Sequence, residues 1–337
     1  MPDVAALAPL KRLFVALTAA TLLLASPPTH AETDINASLQ AVVGVDSRVP
    51  SNARTAGTLG TTRQGSGVVI SDDGLVLTIG YLVMEAIEIN ITLNDGRSIP
   101  ASFVAYDHDS GFGLVRAATP IDVAPAALGQ SGDMGVSTQV LIGNRHGPDS
   151  AQGVFVVDRR EFAGPWEYLL DSAIFTSPPN PEFSGAGLFD AEGRLIGIGS
   201  LFVGNAAFFN QPVPGNMFVP IDELKPILDQ LVAAGRRTEP SRPWLGVFPA
   251  EVRERVFVER VSTDSPAARA GIEPGDLIVA VGDTPVASMS GYFRAVWRDR
   301  SAGDTVTLRV LNAIGEVREV PVESMDRRDW LRLDPTL

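Results

Sequence analysis

A serine stands at the mouth of a tight hairpin, and this stretch constrains the chain more than any other. An apolar run, Leu169 to Phe175, ends in a Pro- and Asn-rich turn, and Ser184 follows between small residues. Leu188-Phe189, the turn Asp190-Ala-Glu-Gly193 and the run Leu195 to Gly199 then read as two short strands joined by a tight connection. The serine does not sit in a Gly-x-Ser-x-Gly strand-to-helix elbow: Glu182 occupies the first glycine's place, and no helical period follows.

The segment upstream has the same grammar. Gly65-Ser-Gly-Val-Val-Ile70, the turn Ser71-Asp-Asp-Gly74 and Leu75-Val-Leu-Thr78 predict a hairpin. Ile87 to Leu93 alternates apolar and polar residues and stops at Asn94-Asp-Gly96, and Ser102–Tyr106 and Phe112–Val115 predict two further strands. Leu39 to Val45 reads as a strand before them. A helix is expected from Asp222 to Ala234, with Asp222 as N-cap, Leu224, Ile227, Leu228 and Leu231 on one face, and Gly235 as the stop. A second is expected from Ser290 to Arg300, after the linker-like Arg236-Arg-Thr-Glu-Pro-Ser-Arg-Pro243.

Composition removes several functions. The net charge of the 337-residue chain is −13, which argues against a phosphate-backbone partner, so no nucleic acid is expected. Cysteine is absent, which excludes disulfides, a thiolate nucleophile and cysteine metal sites. Histidine is confined to His30, His108 and His146, and no His-Glu-x-x-His occurs, so neither a metal nor any other cofactor is expected. Residues 1–31 read as a cleavable secretory signal: Lys11-Arg12, then the apolar stretch Leu13 to Ala25, then Thr29-His-Ala31. That stretch of about thirteen residues is short of the ~20 a spanning helix needs. Export without cysteine points to a periplasm.

Taken together, these motifs resemble the HtrA family of trypsin-like serine proteases. The family reads Gly-Ser-Gly-Val-Ile-Ile-x-x-Asp-Gly-x-Ile-Leu-Thr-Asn-x-His-Val-Val, then Asp-Gly-Arg, then Asp-x-x-x-Asp-Leu-Ala-Val-Leu, then Gly-Asn-Ser-Gly-Gly-Pro-Leu. This chain matches at Gly65 to Thr78, Asp95-Gly-Arg97, Asp107 to Val115, Val140 to Gly147 and the serine hairpin. Trp244-Leu-Gly-Val247, Val256-Phe-Val258, Ser265-Pro-Ala-Ala-Arg-Ala-Gly271 and Pro274-Gly-Asp-Leu-Ile-Val-Ala-Val281 resemble the family's PDZ domain. The resemblance implies a mainly β protein, a trypsin-like double β-barrel followed by a PDZ domain. It divides the chain into the signal (1–31), the protease-like domain (32–235), the linker (236–243), the PDZ domain (244–323) and a C-terminal tail (324–337).

The resemblance puts Ser184 on the nucleophile, but Tyr81 where the family has its His and Gly111 where it has its Asp. Glu182 takes the oxyanion-hole position. A phenol with pKa near ~10 is no general base at pH 7, and glycine cannot orient one. His108 and His146 read as surface turn residues rather than relocated bases, and Lys225, the one lysine after the signal, rules against a Ser–Lys pair. The expectation is a periplasmic pseudoprotease whose PDZ loop, Trp244, Leu245, Gly246 and Val247, binds the C-termini of peptides or unfolded proteins. Two alternatives stand beside it: an active HtrA-type endopeptidase with a rearranged site, and a regulatory adaptor partnered by an active HtrA relative. Residues 32–41 lack the aromatics through which such trimers pack, leaving the oligomeric state open.

Overall fold

The computed structural model describes residues 35–331 and 333; the expected signal segment and the chain's last residues lie outside them. A short helix, α1 (Ile35–Gln40), precedes the first barrel. Its strands are β1 (Val42–Arg48), β2 (Thr62–Val69), β3 (Leu75–Ile79), β4 (Glu88–Thr92), β5 (Ser98–Tyr106) and β6 (Phe112–Ala117), closed in the order β1-β2-β3-β6-β5-β4. One turn of helix, α2 (Ala56–Leu59), lies between β1 and β2. The second barrel comprises β7 (Gln139–Gly143), β8 (Gln152–Gly164), β9 (Tyr168–Ser177), β10 (Gly187–Phe189), β11 (Leu195–Phe209) and β12 (Gln211–Pro220). It closes as β10-β11-β12-β9-β8-β7. Closure leaves neither sheet with a free edge.

After α3 (Leu228–Ala234) come β13 (Val247–Glu251), β14 (Val256–Val261), α4 (Pro266–Arg269), β15 (Leu277–Val281), β16 (Thr284–Pro285), α5 (Met289–Trp297), β17 (Thr305–Leu311), β18 (Val317–Glu323) and α6 (Arg327–Trp330). The sheet runs β13-β14-β15-β17-β18, with β16 beside β15, so β13 is an edge strand. The described start of the expected tail, residues 324–331, folds back: Met325 bridges to Trp244, and Trp330 packs its ring 4.9 Å from that of Trp244. The linker is tied down as well, Arg237 to Asp107 at 2.7 Å and Arg242 to Asp109 at 3.2 Å.

Three local expectations need correction. Leu39 lies in α1, and the strand starts only at Val42. The helix expected from Asp222 is broken: a 3-10 turn spans Ile221–Glu223 and α3 begins at Leu228. Pro226 lacks an N–H and disfavours helical backbone at the residue before it. Asp222 does not cap a helix; its carboxylate accepts from Gly132 N–H at 2.8 Å and pairs with Lys225. The PDZ helix spans Met289–Trp297, capped by Ser288, whose hydroxyl accepts from Gly291 N–H at 3.0 Å.

Candidate functional site

Strand β3 runs directly into a 3-10 turn, Gly80–Leu82, which carries Tyr81 to the junction of the barrels. The turn of Phe183 to Gly185 delivers Ser184 from the other side. Gly185 has φ +71°, and a Cβ there would lie 2.0 Å from Ser66 O, so glycine is required on both counts. Ser184 C=O accepts from Ser66 N–H at 2.8 Å, tying the serine turn to β2. Tyr81 Oη lies 2.9 Å from Ser184 Oγ and 2.8 Å from the Ser200 carbonyl oxygen. The phenol has one proton and the carbonyl can only accept. The Tyr81 proton therefore goes to Ser200, and Ser184 donates its own proton to the phenol oxygen. Burial pushes the Tyr81 phenol above its ordinary range, against the pull of the Ser184 hydroxyl.

Gly111 adopts φ +83°, its carbonyl accepts from Gly80 N–H at 2.7 Å, and a Cβ there would meet Tyr168 Oη at 3.2 Å. Tyr168 is buried and donates to Ser110 C=O at 2.6 Å. A left-handed backbone and a neighbouring ring therefore occupy the position where an orienting carboxylate would stand. Glu182 N–H donates to Asn180 Oδ1 at 2.7 Å, and Asn180 N–H in turn donates to the buried Asn216 at 2.7 Å. This chain of bonds engages the Glu182 donor within its own turn. The Glu182 carboxylate lies 3.5 Å from His146 Nε2 at a half-exposed rim.

His108 is not the surface turn residue expected. It sits half-buried between Tyr106 Oη at 3.0 Å and Arg327, whose guanidinium reaches within 2.6 Å of Nδ1. Burial, then the charges of Arg327 and Arg242, hold the ring well below the ordinary imidazole range. A mostly apolar cavity of about 430 Å³ adjoins Ser184, with Tyr81, Phe183, Leu201, Phe248 and Trp330 among its walls.

The Trp244–Val247 loop has the geometry of an anion cradle. Gly246, at φ +80°, faces Ser265 so closely that a Cβ would fall 2.3 Å from it. The N–H groups of Leu245, Gly246 and Val247 all converge on one carboxylate, at 3.0, 2.6 and 2.9 Å. That carboxylate belongs to Glu167, in the β8–β9 turn of the second barrel. The sequence reading missed Glu167: nothing local marks a glutamate as the partner of a loop 78 residues away. The one available signal was its place in the three-residue connection Pro165-Trp-Glu167, whose last position commonly takes a left-handed glycine; Glu167 has φ +59° there.

The comparisons agree with this architecture. Residues 65–198 match the trypsin-like peptidase domain model and residues 243–322 the PDZ domain model. The chain is 31% identical, over 79% of its length, to a probable periplasmic serine endoprotease, DegP-like, of Halomonas elongata. It is 28% identical, over 77% of its length, to the serine protease PepD of Mycobacterium tuberculosis. It spans 57% and 60% of the lengths of these relatives. Among solved structures, the HtrA-type protease AlgW with a decapeptide shares the fold at TM-score 0.52 and 22% identity, covering 89% of this chain and 99% of that one. The serine endoprotease from Yersinia pestis does so at TM-score 0.51 and 22% identity, covering 87% and 98%. With two closed barrels, a PDZ sheet and these relatives, the chain belongs to the HtrA family of trypsin-like serine proteases with a C-terminal PDZ domain.

Proposed function

We propose that this chain is a non-proteolytic HtrA-type protein that acts in the periplasm and recognises the C-termini of peptides or unfolded proteins through its PDZ loop. The observation that carries the first part is the Tyr81–Ser184 contact at 2.9 Å. Acyl transfer needs a base that takes the serine proton, and a neutral phenol whose own proton is committed to a carbonyl does not take it. Position 111 offers nothing to orient a base, and the Glu182 donor is spent on Asn180, which weakens oxyanion stabilisation. For the second part, the three convergent N–H groups of Leu245–Val247 are suited to a carboxylate, since they already bind one. The periplasmic setting is supported by the relatives named as periplasmic and by the signal-like start of the sequence.

The rival reading, an active endopeptidase with a rearranged site, is favoured by relatives named as endoproteases. Fluorophosphonate labelling and digestion of unfolded casein separate the two. The purified chain is expected to take no label and leave casein intact. Labelling or cleavage that disappears in Ser184→Ala establishes the rival instead.

A further inference from the structure

Which carboxylate the PDZ loop holds at rest is a separate question from which one it was built to receive. The β8–β9 hairpin is wedged against the PDZ domain at the place where a ligand would lie. Strand periodicity splits its side chains between two cores. Tyr168 and Leu170 pack in the barrel, while Leu169 and its cross-strand partner Ala163 join the PDZ cluster of Leu245, Val247, Phe293 and Val296. Glu167, 3% exposed, delivers its carboxylate to the loop from the tip of the same hairpin. Arg294 of α5 grips both strands, reaching Glu161 on β8 at 2.6 Å and Asp171 on β9 at 2.5 Å. Arg327 of α6 donates to the carbonyl of Trp166 at 3.2 Å, bracing the turn from behind. The hairpin thus brings a carboxylate for the loop and an apolar side chain for the adjoining core, the two parts that a peptide C-terminus would supply.

We infer that Glu167 and Leu169 form an internal ligand that caps the PDZ groove, so that a peptide C-terminus binds only by displacing the β8–β9 hairpin. The inference rests on the reading that the loop receives peptide carboxylates. A glutamate held at φ +59° is unfavourable for a residue with a Cβ, and the cradle's three bonds are what the turn gains in return.

The test uses Glu167→Gly, which removes the carboxylate and suits the left-handed backbone, with Glu167→Ala, which also leaves no acceptor for the loop, as the substitute should the glycine variant not fold. Amide hydrogen exchange at residues 245–247 of the full chain reads the cap without any peptide. These amides are expected to be protected in the parent and to exchange at least about tenfold faster in the variant; equal exchange overturns the internal ligand. Titration with one apolar-ended peptide, as free acid and as C-terminal amide, reads the competition. The variant is expected to bind the free acid at least about tenfold more tightly than the parent does, and the amide weakly. Measurable and equal affinity of parent and variant overturns the cap as a gate. Failure of both to bind the free acid, with exchange still accelerated, leaves the internal ligand standing and removes the peptide reading instead.

Discussion

Two loops of this molecule have backbone N–H groups taken by side chains of the chain itself. At the serine, Glu182 N–H is taken by Asn180, two residues away. At the PDZ domain, Leu245 to Val247 are taken by Glu167, 78 to 80 residues away and on another domain. The sequence distance makes the difference. A partner two residues off is part of the turn and leaves only if the turn is rebuilt. A partner on a separate folded unit leaves when the contact between units opens, with both folds intact. One loop has its Glu182 donor engaged within its own turn; the other holds a carboxylate from another domain.

The comparison breaks first at Gly185. Gly185→Ala drives a Cβ into Ser66 O at φ +71° and is expected to cost about 4 kcal/mol or more, seen as a large fall in melting temperature. If that variant melted like the parent, the serine turn would not be the rigid element described. Leu169→Ala should cost about 3 kcal/mol of stability while accelerating exchange at residues 245–247, of which Leu245 and Val247 share its core. The serine loop should be harder to reopen. Tyr81→His with Gly111→Asp is expected to lose about 1–2 kcal/mol, from the left-handed backbone and the crowding by Tyr168, and to leave casein uncut. Robust cleavage by that pair would show that the Glu182–Asn180 bond does not matter.

The cap should also respond to pH. Burial pushes the Glu167 carboxyl up to about 7 from an ordinary value of 4.5, outweighing the three N–H bonds and the nearby Arg327. Tyr292 of α5 and His108 also neighbour Glu167, both held neutral by burial at these pH values. A raised folded-state value means the protonated form is favoured in the closed contact. Its contribution is complete below about pH 4.5, erodes as the pH rises and is gone above about 7, to a total of about 3 kcal/mol. Relative to intrinsic amide exchange, which itself quickens with pH, the protection of residues 245–247 should therefore fall between those limits in the parent and stay constant in Glu167→Gln. The smallest effect belongs to Arg294→Ala: its pairs with Glu161 and Asp171 are half-exposed, and their loss should loosen the hairpin by under about 1 kcal/mol.

Strands bounded by Asp-Gly or Asn-Asp-Gly turns were legible because alternation and turn chemistry are local. The Gly65–Thr78 hairpin and the pair Leu188-Phe189 and Leu195–Gly199 lie where the sequence puts them. The family's motifs also led to Tyr81, Ser184 and the Leu245–Val247 loop, and the structure brings Tyr81, Ser184 and Val247 to the walls of one cavity. Boundaries were less legible where tertiary packing competes with propensity: Leu39 is recruited into α1 at the barrel junction, and Pro226 splits an otherwise periodic helix. Glu167 was illegible for a different reason. Its role depends on which surface the β8–β9 turn meets, and no pattern of period or spacing encodes the meeting of two domains.

The Pro165-Trp-Glu167 turn has a quantitative consequence. A ligand carried on the same chain as its receptor is never diluted; tethering of this kind sets a local concentration on the order of millimolar. If the loop receives peptide termini as proposed, a free chain end of about micromolar intrinsic affinity would compete against that standing supply, and its apparent affinity would fall by the fraction of time the groove is open. Dilute, solitary termini are thereby kept out. Termini crowded on an aggregate, or presented in arrays, reach local concentrations comparable to that of the tethered carboxylate and gain entry. On the proposed reading, the turn makes the PDZ loop a threshold detector of density, tuned by one side chain.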